Sequence, residues 1–309
     1  MSEQQPKKTP NNTQTIIFMV ILSFACALIL SLLASALAEP KELAKDLDRS
    51  KQMMIAAKIL SHHGTFLMQD KEGEYLPAKY ETGGILVPGS EKDHATNAQL
   101  LEVYKKRLIP MLVNDKGDLF TFEQAKINED EYIAAYRKAG YYQQPYKLIY
   151  KLLPNPTSGA KSEKEQPAEG WVVPVNGFGL WDAIYGYLAV APGGDKVIGI
   201  TWYDQKETPG LGANIAEEPW QNLFPGKLIF QEPSSGTTDF KTAPLGIVVV
   251  KGKVSEVLGD SPKSKSAVDG MAGATLTGNG VTDAYRNVLA PYRPFFIRIH
   301  NELQKEKKS

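Results

Sequence analysis

Two hydroxyls, those of Thr275 and Thr277, stand in the run DGMAGATLTGNGV, Asp269 to Val281, among glycines and alanines and behind a single acid. After Asn279-Gly280, the spacing of Val281, Ala284, Tyr285, Val288 and Leu289 predicts an amphipathic helix that Pro291 ends. The first amides of a helix lack intrahelical acceptors and the dipole is positive at that end, so phosphate is favoured beside Thr275, Thr277 and Gly278. Gly273 and Ala274 leave room for it, because backbone comes close to a ligand only where Cβ is absent or small. In an extended approach to the helix the two hydroxyls face the same side. A tight turn with Thr277 or Asn279 as helix N-cap accounts for the same residues, so the run alone leaves both readings open.

Two further stretches have the same small-residue character. NGFGLWDAIYG, 176–186, puts glycines around Trp181 where a strand begins, and KETPGLGANI, 206–215, is a Pro-Gly-x-Gly loop just after a strand. An aromatic (Trp181), an acid (Glu207) and an aliphatic (Leu211) on three such loops suit a pocket for a planar, phosphorylated ligand. Core packing for Trp181 and Leu211, and a solvated loop end for Glu207, are the alternatives.

Other chemistries are poorly provided for. Acidic and basic residues balance at 35 each, so no basic face for nucleic acid is indicated. A single cysteine, Cys26, excludes an intramolecular disulfide and any multi-cysteine metal site within the chain. His62, His63, His94 and His300 lack metal-ligand spacing, and no metal site is expected. Neither a dinucleotide-binding G-x-G-x-x-G, a Walker A run nor a G-x-S-x-G elbow occurs at a strand–helix junction.

The elements that must position these loops begin in a membrane. Ile16 to Ala38 is free of charge and long enough to cross about 30 Å of hydrocarbon, and it exceeds the roughly 7–15 residues of a secretory signal core. It reads as a retained transmembrane helix following a short tail, 1–15. Lys41, Lys45, Arg49 and Lys51 outnumber Lys7 and Lys8, but long domains cross largely regardless of such counts, so the residues alone leave the side unresolved. No intramembrane charge suggests ion conduction by this chain.

Beyond Pro40, Leu43, Leu47, Met54, Ile55 and Ile59 predict an amphipathic helix that Gly64 stops. KINEDEYIAAYRKAG, ending at Gly140, predicts another. Residues 154–170, rich in Pro, Gly, Ser and charge, read as an exposed loop. Strands are expected at 172–175, 183–190, 196–203, 227–230 and 246–252, with APGGD turning a hairpin between the second and third. The fold class is therefore α+β: one N-terminal transmembrane helix, then a 39–309 domain with a mostly antiparallel sheet and flanking helices.

At these residues the chain resembles the C subunit of the sodium-translocating NADH:quinone reductase, with the G subunit of Rnf-type complexes as a relative. The family's flavinylation pattern, Asp-x-x-Ser/Thr-Gly-Ala-Thr/Ser-x-Thr, reads here from Asp269 to Thr277, with Ala272 in place of the usual Ser or Thr. The anchor, the basic helix after it, GFGLWD and ETPGLG follow the family in order. The resemblance implies FMN joined through a phosphoester to Thr277 by an FAD:protein FMN transferase, with Asp269 close to that reaction. It implies a pocket of Gly273, Ala274, Thr275, Leu276, Gly278, Trp181, Glu207, Thr208, Leu211 and Gly212, with no general acid, base or nucleophile required for the electron relay. It also implies an inner-membrane chain, the 39–309 domain periplasmic, serving with other subunits in a complex that oxidises NADH, reduces ubiquinone and pumps sodium ions. An Rnf-type subunit, or an anchored binding or scaffold protein without cofactor, are the other readings.

Overall fold

The computed structural model describes residues 12–70, 72–156, 166–234 and 237–307. The tail through Asn11 and the 157–165 part of the expected loop lie outside the described residues.

The charge-free run forms one helix, α1 (Asn12–Ala36), of 25 residues, apolar on every side and fully exposed. At 1.5 Å per residue it is long enough to cross a membrane. A turn at Leu37 leads into α2 (Ala38–Ala56). That helix stops at a left-handed Lys58, φ 55°, well before Gly64, and its last turn buries Met53, Met54 and Ala56. The chain divides at Asp48/Arg49 into two units, α1 lying in the first.

The second unit is organised by a six-stranded antiparallel sheet. Chain order runs β1 (Phe66–Gln69), β2 (Tyr75–Glu81), β3 (Ile85–Pro88), α3 (Asn97–Arg107), β4 (Leu108–Val113), β5 (Leu119–Phe120), α4 (Phe122–Ala125) and α5 (Glu129–Tyr136). It continues with β6 (Lys147–Leu152), β7 (Gly170–Phe178), β8 (Ala183–Val190), β9 (Val197–Asp204), α6 (Glu218–Gln221), β10 (Val248–Val249), α7 (Val254–Val257) and β11 (Ala267–Val268). Two helices, α8 (Thr275–Leu289) and α9 (Arg293–Glu306), close the chain. Strand order in the large sheet is β5-β4-β6-β7-β8-β9, and β1–β3 form a second antiparallel sheet.

Period-2 alternation decides which face each residue serves. Val173 and Val175 of β7, Leu188 of β8 and Trp202 of β9 join the core beneath α8 and α9, with Val281, Tyr285, Phe295 and Phe296. Val172, Tyr187 and Ala189 point the other way, against the end of α2, α3 and the smaller sheet. Both faces are covered, so the central strands carry few polar residues.

Several expected elements differ in extent. Gly246 (φ 112°) and Gly252 (φ 108°) bend the 246–252 segment at both ends, leaving only β10 to pair, parallel to β11. Residues 227–230 make isolated bridges, Lys196 to Leu228 and Phe230 to Leu245, rather than a strand. Seven strands fall where no strand was expected, β1–β6 and β11; in one of them, Tyr75–Glu81, lysine and glutamate stand among the apolar residues and only Ala78 is fully buried. Within 126–140 the helix is α5 alone, started by Asn128, whose side chain accepts from the Glu131 amide at 3.1 Å.

Candidate functional site

Three segments meet at the N-terminus of α8. The helix starts at Thr275, six residues ahead of the expected start at Val281, with Gly273 at φ 73° making the corner. The earlier start changes what the threonines do. In a helix, residues two apart are separated by about 200°, so Thr275 and Thr277 do not share a side. Thr275 is exposed, whereas Thr277 is 1% exposed and points into the protein.

The Thr277 hydroxyl donates to Glu207 Oε2 at 2.5 Å. Glu207 is itself buried, and its carboxylate also accepts from the Leu180 amide (Oε2) and the Trp181 amide (Oε1), each at 3.0 Å. Those two amides lie in the turn between β7 and β8, closed by the Gly179 amide donating to the Asp182 carbonyl at 2.9 Å. Burial alone would raise the Glu207 pKa. Donors from Thr277 and from the Trp181, Leu180 and Asp182 amides outweigh it and hold the carboxyl below its ordinary value, so it is ionised at neutral pH.

Glycines make this meeting physically possible. A Cβ on Gly212 would lie 2.4 Å from Thr277 Oγ1 and 2.8 Å from Glu207 Oε2, and one on Gly179 would lie 2.4 Å from Glu207 Oε1. On the sheet side, a Cβ on Gly280 would lie 2.0 Å from the Phe178 carbonyl oxygen, and one on Gly177 would lie 2.6 Å from Ala284 Cβ. Helix α8 therefore rests almost on the backbone of β7. Thr282 ties its other side down, donating to the Gly278 carbonyl at 3.0 Å and accepting from the Val249 amide at 2.9 Å.

Around the buried pair the surface is unusually apolar. Trp181 is 68% exposed, Phe178 76% and Leu276 59%, and Leu180 and Leu211 are also exposed. Trp181 is held by its indole N–H, which donates to Thr208 Oγ1 at 3.1 Å. Core packing, the alternative for Trp181 and Leu211, is excluded by this exposure, and Glu207 is not a solvated loop end. On the other side of the first turn of α8, a cavity of about 520 Å³ is lined by Lys251, Lys253, Asp269, Gly273, Thr275 and Gly278. Ala274 precedes the helix as a buried residue without a capping side chain.

Of the residues singled out from sequence, Glu207, Gly212 and Thr277 come together, with Trp181, Thr208, Leu211, Gly273 and Leu276 around them. Asp269 is placed differently: its Oδ1 accepts from the Val254 amide at 2.7 Å and its carbonyl from Trp220 Nε1 at 3.1 Å. No hydrogen bond joins it to Thr277 among the described residues. Phe178, Leu180, Lys251 and Lys253 were not singled out; the first two lie inside the same glycine-bounded turn as Trp181, and that was their signal.

An apolar, ring-sized rim over a buried hydroxyl, beside lysines and open helix amides, suits a flavin phosphate, and the chain carries an FMN-binding domain. The family of that description matches residues 179–290, from the β7–β8 turn to the end of α8. The chain is 41% identical to the C subunit of the Na(+)-translocating NADH-quinone reductase of Chlamydia caviae, with 96% of each chain covered. It is 42% identical to the same subunit of Chlamydia pneumoniae, covering 100% of this chain and 99% of the relative. It belongs to the family of Na(+)-translocating NADH-quinone reductase C subunits, which are parts of an oxidoreductase. The crystal structure of the C subunit from Parabacteroides distasonis shares the fold, with a TM-score of 0.50 and 21% identity over 84% of this chain and 96% of that one.

Proposed function

We propose that this chain is the covalent-FMN electron carrier of a sodium-pumping NADH:quinone reductase, its flavin joined through phosphate to Thr277 Oγ1. The observation that carries this reading is the position of Thr277: a hydroxyl on the first turn of α8, hydrogen-bonded to an ionised Glu207 and ringed by exposed Trp181, Leu211 and Leu276. FMN, when bound, supplies reversible acceptance and release of electrons. The residues supply the rest. The amides of the first turn and the cavity containing Lys251 and Lys253 favour the phosphate. The apolar rim with Trp181 and Leu211 excludes water from one side of a planar ring while leaving it open to a redox partner.

Helix α1 anchors the chain in the inner membrane, and the domain after it faces the periplasm. A covalent tether is useful there, because an exported domain has no cytoplasmic FMN pool from which to rebind. An FAD:protein FMN transferase loads the chain, and the other subunits of the complex supply and remove its electrons. Denaturing electrophoresis of the full chain, co-expressed with such a transferase, tests the attachment. A flavin-fluorescent band that Thr277→Ala abolishes is expected; a dark wild-type band, or a bright Thr277→Ala band, overturns it.

A further inference from the structure

We infer that Glu207 is the proton acceptor for flavin attachment: its carboxylate takes the hydroxyl proton of Thr277 as Oγ1 bonds to phosphorus. The inference rests on the attachment reading above and adds a residue whose part lies in maturation rather than in the electron relay.

The geometry is specific. Threonine hydroxyls are poor nucleophiles at neutral pH and need an adjacent base within hydrogen-bond reach. Glu207 Oε2 lies 2.5 Å from Oγ1, across 70 residues of sequence, in a site that is nearly closed to solvent. Its other lone pairs are occupied by backbone amides of the β7–β8 turn, which fix the carboxylate so that one oxygen faces the hydroxyl. Among the described residues, no other acid hydrogen-bonds Thr277. Asp269, the acid within the motif, is engaged with the Val254 amide.

The charged groups on the elements around Glu207 do not take over its part. Asp182 and Lys206 pair with each other, Asp204 ends β9, and the first turn of α8 carries no titratable side chain. Lys251 and Lys253 line the cavity on the other side of that turn. Amides and the hydroxyl donate to the carboxyl and keep it ionised at neutral pH, which is the form a proton acceptor must have.

The step balances with a flavin dinucleotide, held by the transferase, as co-reactant. Thr277 Oγ1 attacks the phosphorus of the FMN half and the Oγ1–P bond forms. The bridging P–O bond of the pyrophosphate breaks, and AMP leaves with that bond's electron pair. The hydroxyl proton passes to Glu207 Oε2, and nothing is oxidised or reduced.

The test is the rate of loading of the purified full chain by transferase and flavin dinucleotide, read by intact mass and located by peptide mapping, across a pH series. Glu207→Gln keeps a hydrogen-bond acceptor for Thr277 but removes the base. It is expected to load at least about 100-fold more slowly, the low end of what a positioned general base contributes. The fall in wild-type loading on acidification should be absent in this variant. Glu207→Asp keeps a carboxylate and should load between the two, with the acid fall retained. Gln loading at the wild-type rate, or Asp and Gln loading equally slowly with flat profiles, overturns the inference and leaves Glu207 a positioning residue. A wild-type chain that gains no flavin, or gains it away from Thr277, overturns instead the attachment reading.

Discussion

Thr277 and Glu207 face each other at 2.5 Å inside the protein, the hydroxyl on the first turn of a helix and the carboxylate on a loop that follows β9. Neither element reaches the other by local sequence. The contact exists because glycines at 179, 212 and 280 let a turn, a loop and a helix come together with no side chain in between.

Acid should weaken the unloaded chain through this pair. The Glu207 carboxyl is held below its ordinary value in the fold, so its stabilising contribution is complete above the unfolded carboxylate pKa, about 4.3, and is lost as pH falls through the folded value. Thermal melts of wild type and Glu207→Gln should differ at neutral pH and converge on acidification. A constant gap down to pH 3 would show that the carboxylate's charge contributes nothing.

Adding one methyl at Gly212 should be costly. An alanine there must push apart Thr277 Oγ1 and Glu207 Oε2, and overpacking of this kind costs about 1–3 kcal/mol. Gly280→Ala meets the Phe178 carbonyl, which is backbone and cannot swing away, so its loss should be the larger of the two. Urea unfolding monitored by circular dichroism gives both values; an unchanged midpoint for either contradicts the contact.

Trp181 should separate binding from stability. It is two-thirds exposed and makes one side-chain hydrogen bond, so Trp181→Ala should leave the unfolding midpoint within about 0.5 kcal/mol of wild type. The visible absorption of the attached flavin should shift, because a ring that stacked on indole then meets water. An unchanged spectrum would place the ring elsewhere.

Removing residues 1–36 should leave a folded, soluble domain. Helix α1 lies in the first of two units, and the large sheet with both its cores falls entirely in the second. Size-exclusion chromatography and a cooperative melt check this, and aggregation of the shortened chain counts against it.

The sequence made the central hairpin plain, because β8 and β9 are runs of β-branched and aromatic residues around a Pro-Gly-Gly turn, and such runs have little choice of structure. It was less informative where strands are half exposed: β2 mixes lysine, glutamate and proline with its apolar residues, and only pairing with β1 and β3 makes it a strand. Thr277 was singled out through motif and resemblance. That Thr277 turns inward while Thr275 turns outward depended on where α8 begins, and Gly278 and Gly280 argued locally for a later start. Packing against β7 overrides that preference, since a bare helix surface is what the strand requires there. The Thr277–Glu207 contact was beyond reach, because distance in space between a loop acid and a helix hydroxyl leaves no periodic trace.

The near-contact of α8 with β7 bears on how electrons would travel. A flavin tethered to a mobile loop stays with the molecule yet has no defined distance to its redox partners, and tunnelling rates depend steeply on distance. A residue on the first turn of a helix seated directly on a central strand has its coordinates set by the sheet itself. Gly177 and Gly280, which touch no cofactor in the proposed scheme, then act as the ruler for that distance. Small changes at either would be read as a slower relay in a fully loaded chain.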